Sequence, residues 1–171
     1  MAAHFQMNDL GALSYYIGIE VKQGKEALML GQSTYASKLL EQSDMAECKS
    51  CMTPMEERLK LMKASTVAKE YATLYWSIVG GLRYLVHMRP DIVFAMGYVS
   101  RFMEDSREDH WATVKRLLRY VKGMVDQRIV FPKTGESRLQ VTVFSDVDMA
   151  GDIDERQSTS GVLVFLGSAP I

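Results

Sequence analysis

The sequence predicts an α+β fold in which a β-hairpin, a helical region and a second β-hairpin follow one another along the chain. Residues 13–30 alternate apolar and polar side chains around a glycine-containing turn. Residues 70–123 carry apolar side chains at three- and four-residue steps. Two predicted strands follow, residues 139–145, in which apolar residues alternate, and residues 161–167. A chain of 171 residues is long enough to bury a sizeable core around these elements.

The composition is that of an ordinary globular protein. Hydrophobic residues make up 47% of the chain and charged residues 24%, which argues against disorder. The formal net charge of -1 argues against binding nucleic acid through global charge, although a local basic face remains compatible with it. No apolar run approaches the roughly 18 residues of a membrane span, and no signal peptide opens the chain. We therefore expect an intracellular protein, cytoplasmic or nuclear, without a membrane partner.

The first third of the chain predicts a hairpin and a helix. In the stretch LSYYIGIEVKQGKEALML a strand-like alternation precedes a turn at KQGKE. The alternating side chains are those of Tyr15, Ile17, Ile19 and Val21. The next stretch, QSTYASKLLEQSDM, predicts an amphipathic helix with Ser33 or Thr34 as its N-cap. Residues 46–66 then predict a loop, in which Pro54 interrupts any helix.

Three further helices are expected before the second hairpin. The first, KEYATLYWSIVGGLRYLVHM, contains the pair Gly80-Gly81, which predicts either close packing or a kink. The second begins at Pro90, with Asp91 near the positive end of the helix dipole. The third, SREDHWATVKRLLRYVKG, has Ser106 as its expected N-cap and an apolar face. That face consists of Trp111, Val114, Leu117, Leu118 and Val121.

The third helix also carries a basic stripe. Lys115, Arg119 and Lys122 are separated by steps of four and three residues, so they share one face, and Arg116 lies beside them. Such a stripe can neutralise successive phosphates of a nucleic-acid duplex. An ordinary solvated helix face is the alternative, and both interpretations stay open.

Two short patterns have the residue types of metal sites. Cys48 and Cys51 have the spacing of half a zinc site or of a dithiol motif, but no second cysteine pair exists, so free thiols are the simpler interpretation. The stretch FSDVDMAGDIDERQSTSG contains Asp146 and Asp148, which can hold Mg²⁺ weakly or form a solvated acidic turn. A calcium loop starting at Asp146 is excluded, because Gln157 stands at position twelve, where a bidentate glutamate is required.

Four motifs in order resemble the polyprotein of copia-type LTR retrotransposons. They are MNDLGALSYYIGIEV, YWSIVGGLRYLVHMRPDI, SRFMEDSREDHWATVKRLLRYVKG and FSDVDMAGDIDERQSTSG. The resemblance begins near the end of the reverse transcriptase and runs into the start of the ribonuclease H domain.

The resemblance implies roles for three segments. Residues 1–32 would be the end of the reverse transcriptase palm, with a primer-grip-like hairpin around Ile17 and Gly18. Residues 33–134 would form a helical thumb-like region, and residues 135–171 a truncated ribonuclease H-like start. Asp146 would match the first metal-binding aspartate of ribonuclease H. The ancestral activities implied are RNA-directed DNA synthesis and cleavage of RNA in RNA–DNA hybrids.

The residues that the resemblance leaves out set the expectation for activity. The polymerase aspartates would precede the first residue, and the remaining ribonuclease H carboxylates would follow Ile171. Two-metal phosphodiester cleavage needs several converging oxygen ligands. We expect a non-catalytic fragment that requires no cofactor and binds an RNA–DNA or DNA duplex. The alternative is a host-adopted interaction or regulatory module that binds a second copy or a host protein through exposed strand edges.

Overall fold

The computed structural model describes residues 11–63, 72–133, 140–147, 151, 154, 156 and 158–171. The described elements are, in chain order, β1 (Tyr15–Tyr16), β2 (Ile19–Gln23), β3 (Ala27–Gly31), α1 (Ser33–Gln42), α2 (Ala72–Leu85), α3 (Val93–Ser100), α4 (Glu108–Gly123), β4 (Arg128–Pro132), β5 (Val141–Val147), β6 (Ser160–Leu166) and β7 (Ala169–Pro170). Two short 3-10 turns, Val86–Met88 and Pro90–Ile92, connect α2 to α3. The mixed helix and strand content confirms the coarse prediction of an α+β protein.

The first sheet has the strand order β1-β2-β3-β4, and every pair of neighbours is antiparallel. The hairpin of β2 and β3 was predicted, together with its turn at residues 24–26. Strand β4 was not predicted. It pairs with β3 from Ala27 opposite Pro132 to Gly31 opposite Arg128, across about 100 residues of intervening chain. The five residues of β4 are in a strand because they pair with the distant β3, so the local sequence pattern did not predict this strand.

The predicted alternation through residues 15–21 is not one strand. Tyr16 pairs with Ile19, and the two residues between them, Ile17 and Gly18, form a tight turn. Both have positive φ angles, 44° and 75°, as a two-residue hairpin turn of this kind requires. Gly18 adopts such an angle without strain, whereas a β-branched residue such as Ile17 rarely does.

The second sheet has the strand order β5-β6-β7. Strands β5 and β6 pair in antiparallel register from Val141 opposite Leu166 to Val147 opposite Ser160. The two predicted strands are therefore present, although Leu139, expected at the start of the first, lies outside the described residues. Most side chains of β5 are exposed.

The main core lies between the helices. Every residue of the predicted apolar face of α4 is buried, and α2 contributes Tyr75, Ile78, Val79, Leu82 and Leu85. Of the two adjacent glycines in α2, Gly81 is the one that close packing requires. A Cβ added at Gly81 would stand 2.5 Å from Cδ1 of Leu39 on α1, whereas a Cβ added at Gly80 would meet nothing within 4 Å. Close packing at Gly81 is thus confirmed. In the described part of the chain, no helix has both the length and the apolar character needed to cross a membrane.

The start of α1 is stabilised from a strand and not by the predicted caps. The N-cap position is Gln32, whose side chain makes no capping bond, and the helix begins at Ser33. Glu20 on β2 accepts hydrogen bonds from the Thr34 backbone N–H, at 2.8 Å, and from the Ser33 hydroxyl, at 2.9 Å. Its carboxylate also pairs with Arg128 on β4 at 3.1 Å. The Glu20 carboxylate accepts from a free N–H group of the first turn, and so it performs the N-capping role that was predicted for Ser33 or Thr34.

The start of α4 also differs from the prediction by one residue. Arg107, and not Ser106, is at the N-cap position, and Ser106 is buried. His110 is fully buried: its Nδ1 accepts the Arg107 backbone N–H at 3.0 Å, and its Nε2 lies 3.2 Å from the Met62 carbonyl. Its ring stacks on Phe102 with centroids 4.0 Å apart. His110 is therefore a packing residue of the cap region.

Candidate nucleic-acid interface

The hairpin tip at Ile17 and Gly18 is fastened to helix α2. The hydroxyl of Tyr84 on α2 donates a hydrogen bond to the Ile17 carbonyl. The Tyr84 ring also occupies the space beside Gly18, where an added Cβ would stand 3.2 Å from two of its atoms. The Ile17 side chain itself remains 66% exposed. The tip is therefore held from behind while its outer side stays open to a partner.

Tyr84 is itself held by neighbouring aromatic rings. The ring of Tyr35 on α1 meets it edge-on, with centroids 4.9 Å apart, and the Tyr35 hydroxyl donates to the Gly81 carbonyl at 3.2 Å. His87 Nδ1 lies 2.9 Å from the Tyr84 carbonyl, so the imidazole donates through that nitrogen. Because the rings of Tyr35 and His87 both lie against the Tyr84 ring, the tip it holds has a defined position. In the sequence, Tyr84 is indistinguishable from the other apolar residues of the predicted helix, so its role was not predicted.

The predicted basic stripe lies on α4, where two of its three members contact residues 46–56. We call these residues the strap. Arg119 Nε donates to the Lys49 carbonyl at 2.8 Å, and Lys122 Nζ donates to the Ala46 carbonyl. Lys115 is exposed. Among the described residues, no carboxylate is within ion-pair distance of these three cations.

The fourth cation of the stripe is neutralised. Arg116 forms an ion pair with Glu56 at 3.1 Å and a hydrogen bond to the Thr53 hydroxyl at 2.9 Å. Carbonyl groups orient a cation without cancelling its charge, whereas the Glu56 carboxylate does cancel that of Arg116. The face of α4 therefore keeps the positive charge of Lys115, Arg119 and Lys122.

The strap also contacts the backbone of α4 through its cysteine pair. The Cys51 N–H donates to the Arg119 carbonyl at 3.3 Å, and the Cys51 thiol lies 3.4 Å from the Arg116 carbonyl. Cys48 and Cys51 are free thiols, and both are partly buried. Gly123 allows the close approach, because a Cβ there would stand 3.1 Å from the Ser50 Cβ.

Asp146 lies on β5, directly opposite Gly161 on β6. One of its carboxylate oxygens accepts the N–H of the next residue, Val147, at 2.9 Å. Asp148, the other residue of the expected weak ion site, lies outside the described residues. Among those that are described, no group of three or more histidine, cysteine, aspartate or glutamate side chains could hold a metal ion. Of the two residues of the expected ion site, Asp146 is thus the one whose position the structure describes.

Asp146 also borders an open cleft of about 680 Å³ between α3 and the second sheet. Apolar side chains line most of it, including Phe94 on α3 and Phe144 on β5. Arg101 closes one side by donating to the Thr159 hydroxyl at 2.7 Å. This cleft was not predicted, because its two walls are about 50 residues apart in the chain.

Comparison with known proteins agrees with the sequence motifs. Residues 1–57 match the family model of the reverse transcriptase (RNA-dependent DNA polymerase). Over its whole length the chain is 38% identical to the retrovirus-related Pol polyprotein from transposon RE2 of Arabidopsis thaliana and 39% identical to that from transposon RE1, and it spans 12% of each. It is also 36% identical, over 98% of its length, to the uncharacterized mitochondrial protein AtMg00810 of the same plant, of which it covers 68%. No solved structure matches the chain.

These matches define the class of protein: a relative of retroelement Pol polyproteins. The match to the reverse transcriptase model covers the hairpin, its fastened tip and α1. The relatives from RE1 and RE2 extend the similarity through the helices and the second sheet. The chain belongs to the family of copia-type retrotransposon Pol polyproteins.

Proposed function

We propose that this chain binds a nucleic-acid duplex, an RNA–DNA hybrid or DNA, as the primer-holding and thumb-like part of a copia-type polymerase. The observation that carries the proposal is the uncompensated charge of Lys115, Arg119 and Lys122 along one face of α4. Cations at steps of four and three residues along a helix can contact successive phosphates, and such contacts supply most of the sequence-independent affinity for a duplex.

The fastened hairpin tip supports the same function. In the proposal, Ile17 and Gly18 contact the primer strand, residues 1–32 belong to the palm, and residues 33–134 form the thumb-like region. A tip that must position a strand end needs a rigid support, and Tyr84 supplies one by its hydrogen bond and ring packing. Arg83, next to Tyr84 on α2, is exposed and adds a cation near the tip.

In this proposal the chain contributes binding and no catalysis. Residues 135–171 are the start of a ribonuclease H-like domain, in which Asp146 supplies one of several carboxylates. Cleavage by two metal ions requires further oxygen ligands around both ions. The polymerase and nuclease activities belong to the longer polyproteins in this proposal, and the fragment retains the affinity for duplex.

The test is fluorescence anisotropy of a labelled RNA–DNA hybrid titrated with the protein between about 50 mM and about 200 mM salt. Each phosphate contact contributes about −0.9 to the slope of log K against log salt concentration, so we predict a slope of about −0.9 from Lys115 alone and of about −2.7 when Arg119 and Lys122 also turn from their carbonyls to phosphates. Absence of binding at the lowest salt concentration, or binding that salt does not weaken, contradicts the proposal. Hydrolysis of the hybrid in Mg²⁺ that stops in Asp146→Asn would contradict the non-catalytic part.

A second function, self-association through a strand edge, is favoured by the exposure of β5. Within the described residues β5 pairs only with β6, so its outer edge has unpaired backbone groups. Its exposed apolar side chains are Val141, Val143, Phe144 and Val147. Antiparallel pairing of two copies about Phe144 would place Val141 opposite Val147 and would keep the two Asp146 carboxylates apart, each facing Thr142. This alternative would make the chain an interaction module.

Sedimentation velocity over a range of protein concentrations tests the second function. A dimer that dissociates on dilution, and that is lost when Val143 is changed to Lys, supports it, because a charge on an edge strand opposes pairing. The matched control is Val130→Lys, which changes an exposed valine on β4 of the other sheet. A monomer at every concentration removes the idea.

A further inference from the structure

The strap crosses the basic face of α4 and contacts it at both ends of the cysteine pair. Before the pair, Ala46 supplies a carbonyl to Lys122, and within the pair, Lys49 supplies one to Arg119. At the end of the pair, the Cys51 N–H returns a hydrogen bond to the Arg119 carbonyl. The orientation of two of the three stripe cations therefore depends on the path of the backbone around Cys48 and Cys51.

We infer that Cys48 and Cys51 form a reversible disulfide site, and that closing this disulfide detaches the strap from the basic face of α4. The two cysteines have the C-x-x-C spacing of redox-active dithiols. Both are free and neither is fully buried. Partial exposure of both residues is what reaction with a small-molecule disulfide requires.

The geometry shows why closing the bond would move the strap. The Cys51 thiol lies 3.4 Å from both the Arg116 carbonyl on α4 and the Thr53 carbonyl within the strap, and a disulfide to Cys48 would replace these thiol contacts by a sulfur–sulfur bond. A disulfide holds its two Cα atoms about 4.4–6.8 Å apart, so four consecutive residues must close into a tight turn. Residues 48–51 have no regular turn in the structure. Lys49 lies inside the ring that would form, so closing the ring reorients the peptide whose carbonyl accepts from Arg119 at 2.8 Å.

The reaction is a thiol–disulfide exchange with a low-molecular-weight disulfide such as oxidised glutathione. The thiolate of one cysteine attacks the oxidant, forms a mixed disulfide and releases one glutathione thiolate. The second cysteine, as its thiolate, attacks the protein sulfur of that mixed disulfide and releases the other glutathione thiolate. Two electrons pass from the cysteine pair to the oxidant, and the protons of the two cysteine thiols end on the two glutathione thiols. A dithiol reductant reverses both steps.

The consequence for binding rests on the proposed duplex function. Arg119 Nε and Lys122 Nζ, once released from carbonyls, can both donate to phosphate oxygens. Two added phosphate contacts would steepen the salt dependence of log K by about 1.8. Oxidation therefore increases the affinity for duplex, most strongly at low salt concentration.

The experiment compares the whole chain after equilibration with oxidised or reduced glutathione. Intact mass and thiol counting report whether a Cys48–Cys51 disulfide forms, and the Arg119 Nε–H signal in NMR reports on its bond to Lys49. We expect loss of two protons' mass, loss of two thiols and faster solvent exchange of the Arg119 Nε–H in the oxidised protein. Cys48→Ser and Cys51→Ser should each abolish this response, and Cys51→Ser keeps a small polar group beside the Arg116 carbonyl.

Two outcomes overturn the disulfide switch. One is formation of glutathione adducts on both cysteines without an internal disulfide. The other is an internal disulfide with unchanged exchange of the Arg119 Nε–H. A disulfide that releases Arg119 but leaves the salt slope for RNA–DNA hybrid unchanged supports the switch and contradicts the duplex-binding function, so the two failures are distinguishable.

Discussion

The Tyr84 hydroxyl on α2 donates a hydrogen bond to the carbonyl of Ile17 at the hairpin tip, and this contact joins the first sheet to the helical core. The residues are 67 positions apart in the chain. Ile17 holds a positive φ of 44°, which is costly for a β-branched residue and persists where surrounding contacts fix it. The hydrogen bond from Tyr84 therefore helps to keep Ile17 in this backbone conformation.

Removing the Tyr84 hydroxyl should loosen the tip without unfolding the protein. Tyr84→Phe keeps the ring beside Gly18 and loses one hydrogen bond, so we expect a decrease of about 1 kcal/mol in the free energy of unfolding. Urea unfolding followed by circular dichroism measures it. Tyr15→Phe is the control, because Tyr15 is exposed on β1, and it should change stability by less than about 0.5 kcal/mol. Equal effects of the two variants would show that the Tyr84 hydroxyl does not support the tip.

Acid should weaken the junction between the first sheet and α1. The Thr34 N–H, the Ser33 and Thr34 hydroxyls and Arg128 all donate to Glu20, and they lower its pKa from 4.5 to about 2 despite partial burial. A carboxyl with a lowered pKa in the folded state contributes stability above its unfolded pKa, and this stability is lost as the pH falls from about 4.5 to about 2. Glu20→Gln should remove this part of the acid dependence, as urea unfolding at a series of pH values would measure. An unchanged acid profile in Glu20→Gln is the contradicting result.

A second loss of stability should occur at higher pH because of His110. Burial lowers the pKa of His110 below 6.5, and the nearby Asp109 opposes this effect only in part. The folded state then resists protonation, so stability present above pH 6.5 decreases as the pH falls below that value. Comparison of urea midpoints at about pH 7.5 and about pH 5.5 should show a decrease that is smaller in His110→Gln. An identical decrease in both proteins would exclude His110 as its source.

The glycine pair of α2 offers a matched comparison. Gly81→Ala should destabilise the protein by about 1–3 kcal/mol, because the new methyl group would clash with Leu39. Leu39 is only 3% exposed and so has little room to move. Gly80→Ala should stabilise it by about 0.5–1 kcal/mol, since Gly80 is exposed, has open space and lies within a helix. Thermal unfolding of both variants measures the two effects. The packing argument fails if both substitutions stabilise the protein.

Local patterns in the sequence predicted what depends on neighbouring residues. The helices, their buried faces and the close packing at Gly81 follow from periodicity and from the absence of a side chain. The alternation pattern alone missed the turn at Ile17, because this apolar side chain continues the pattern of a strand, whereas the family resemblance implied a hairpin around Ile17 and Gly18. The cap of α1 was misassigned because Glu20 reaches it from β2, and β4 was missed because its partner is β3.

In the candidate interface, too, the features within one helix were predicted and the contacts between distant segments were not. The spacing of Lys115, Arg119 and Lys122 on one helix was readable from the sequence. The strap that orients Arg119 and Lys122 was not, because its carbonyls lie more than 60 residues earlier in the chain. Only contacts formed on folding show which cations carry uncompensated charge and which, like Arg116, are paired.

The measurement that tests duplex binding most directly is the salt dependence of RNA–DNA hybrid affinity in Lys115→Ala. Lys115 makes no hydrogen bond or ion pair within the described residues, so its removal tests phosphate contact without disturbing a bond of the fold. We predict that the slope of log K against log salt concentration becomes shallower by about 0.9 in Lys115→Ala. The control is Lys25→Ala, which removes an exposed lysine from the turn between β2 and β3 and should leave the slope unchanged. Equal slopes in the unaltered protein, Lys115→Ala and Lys25→Ala would contradict binding through the basic face of α4.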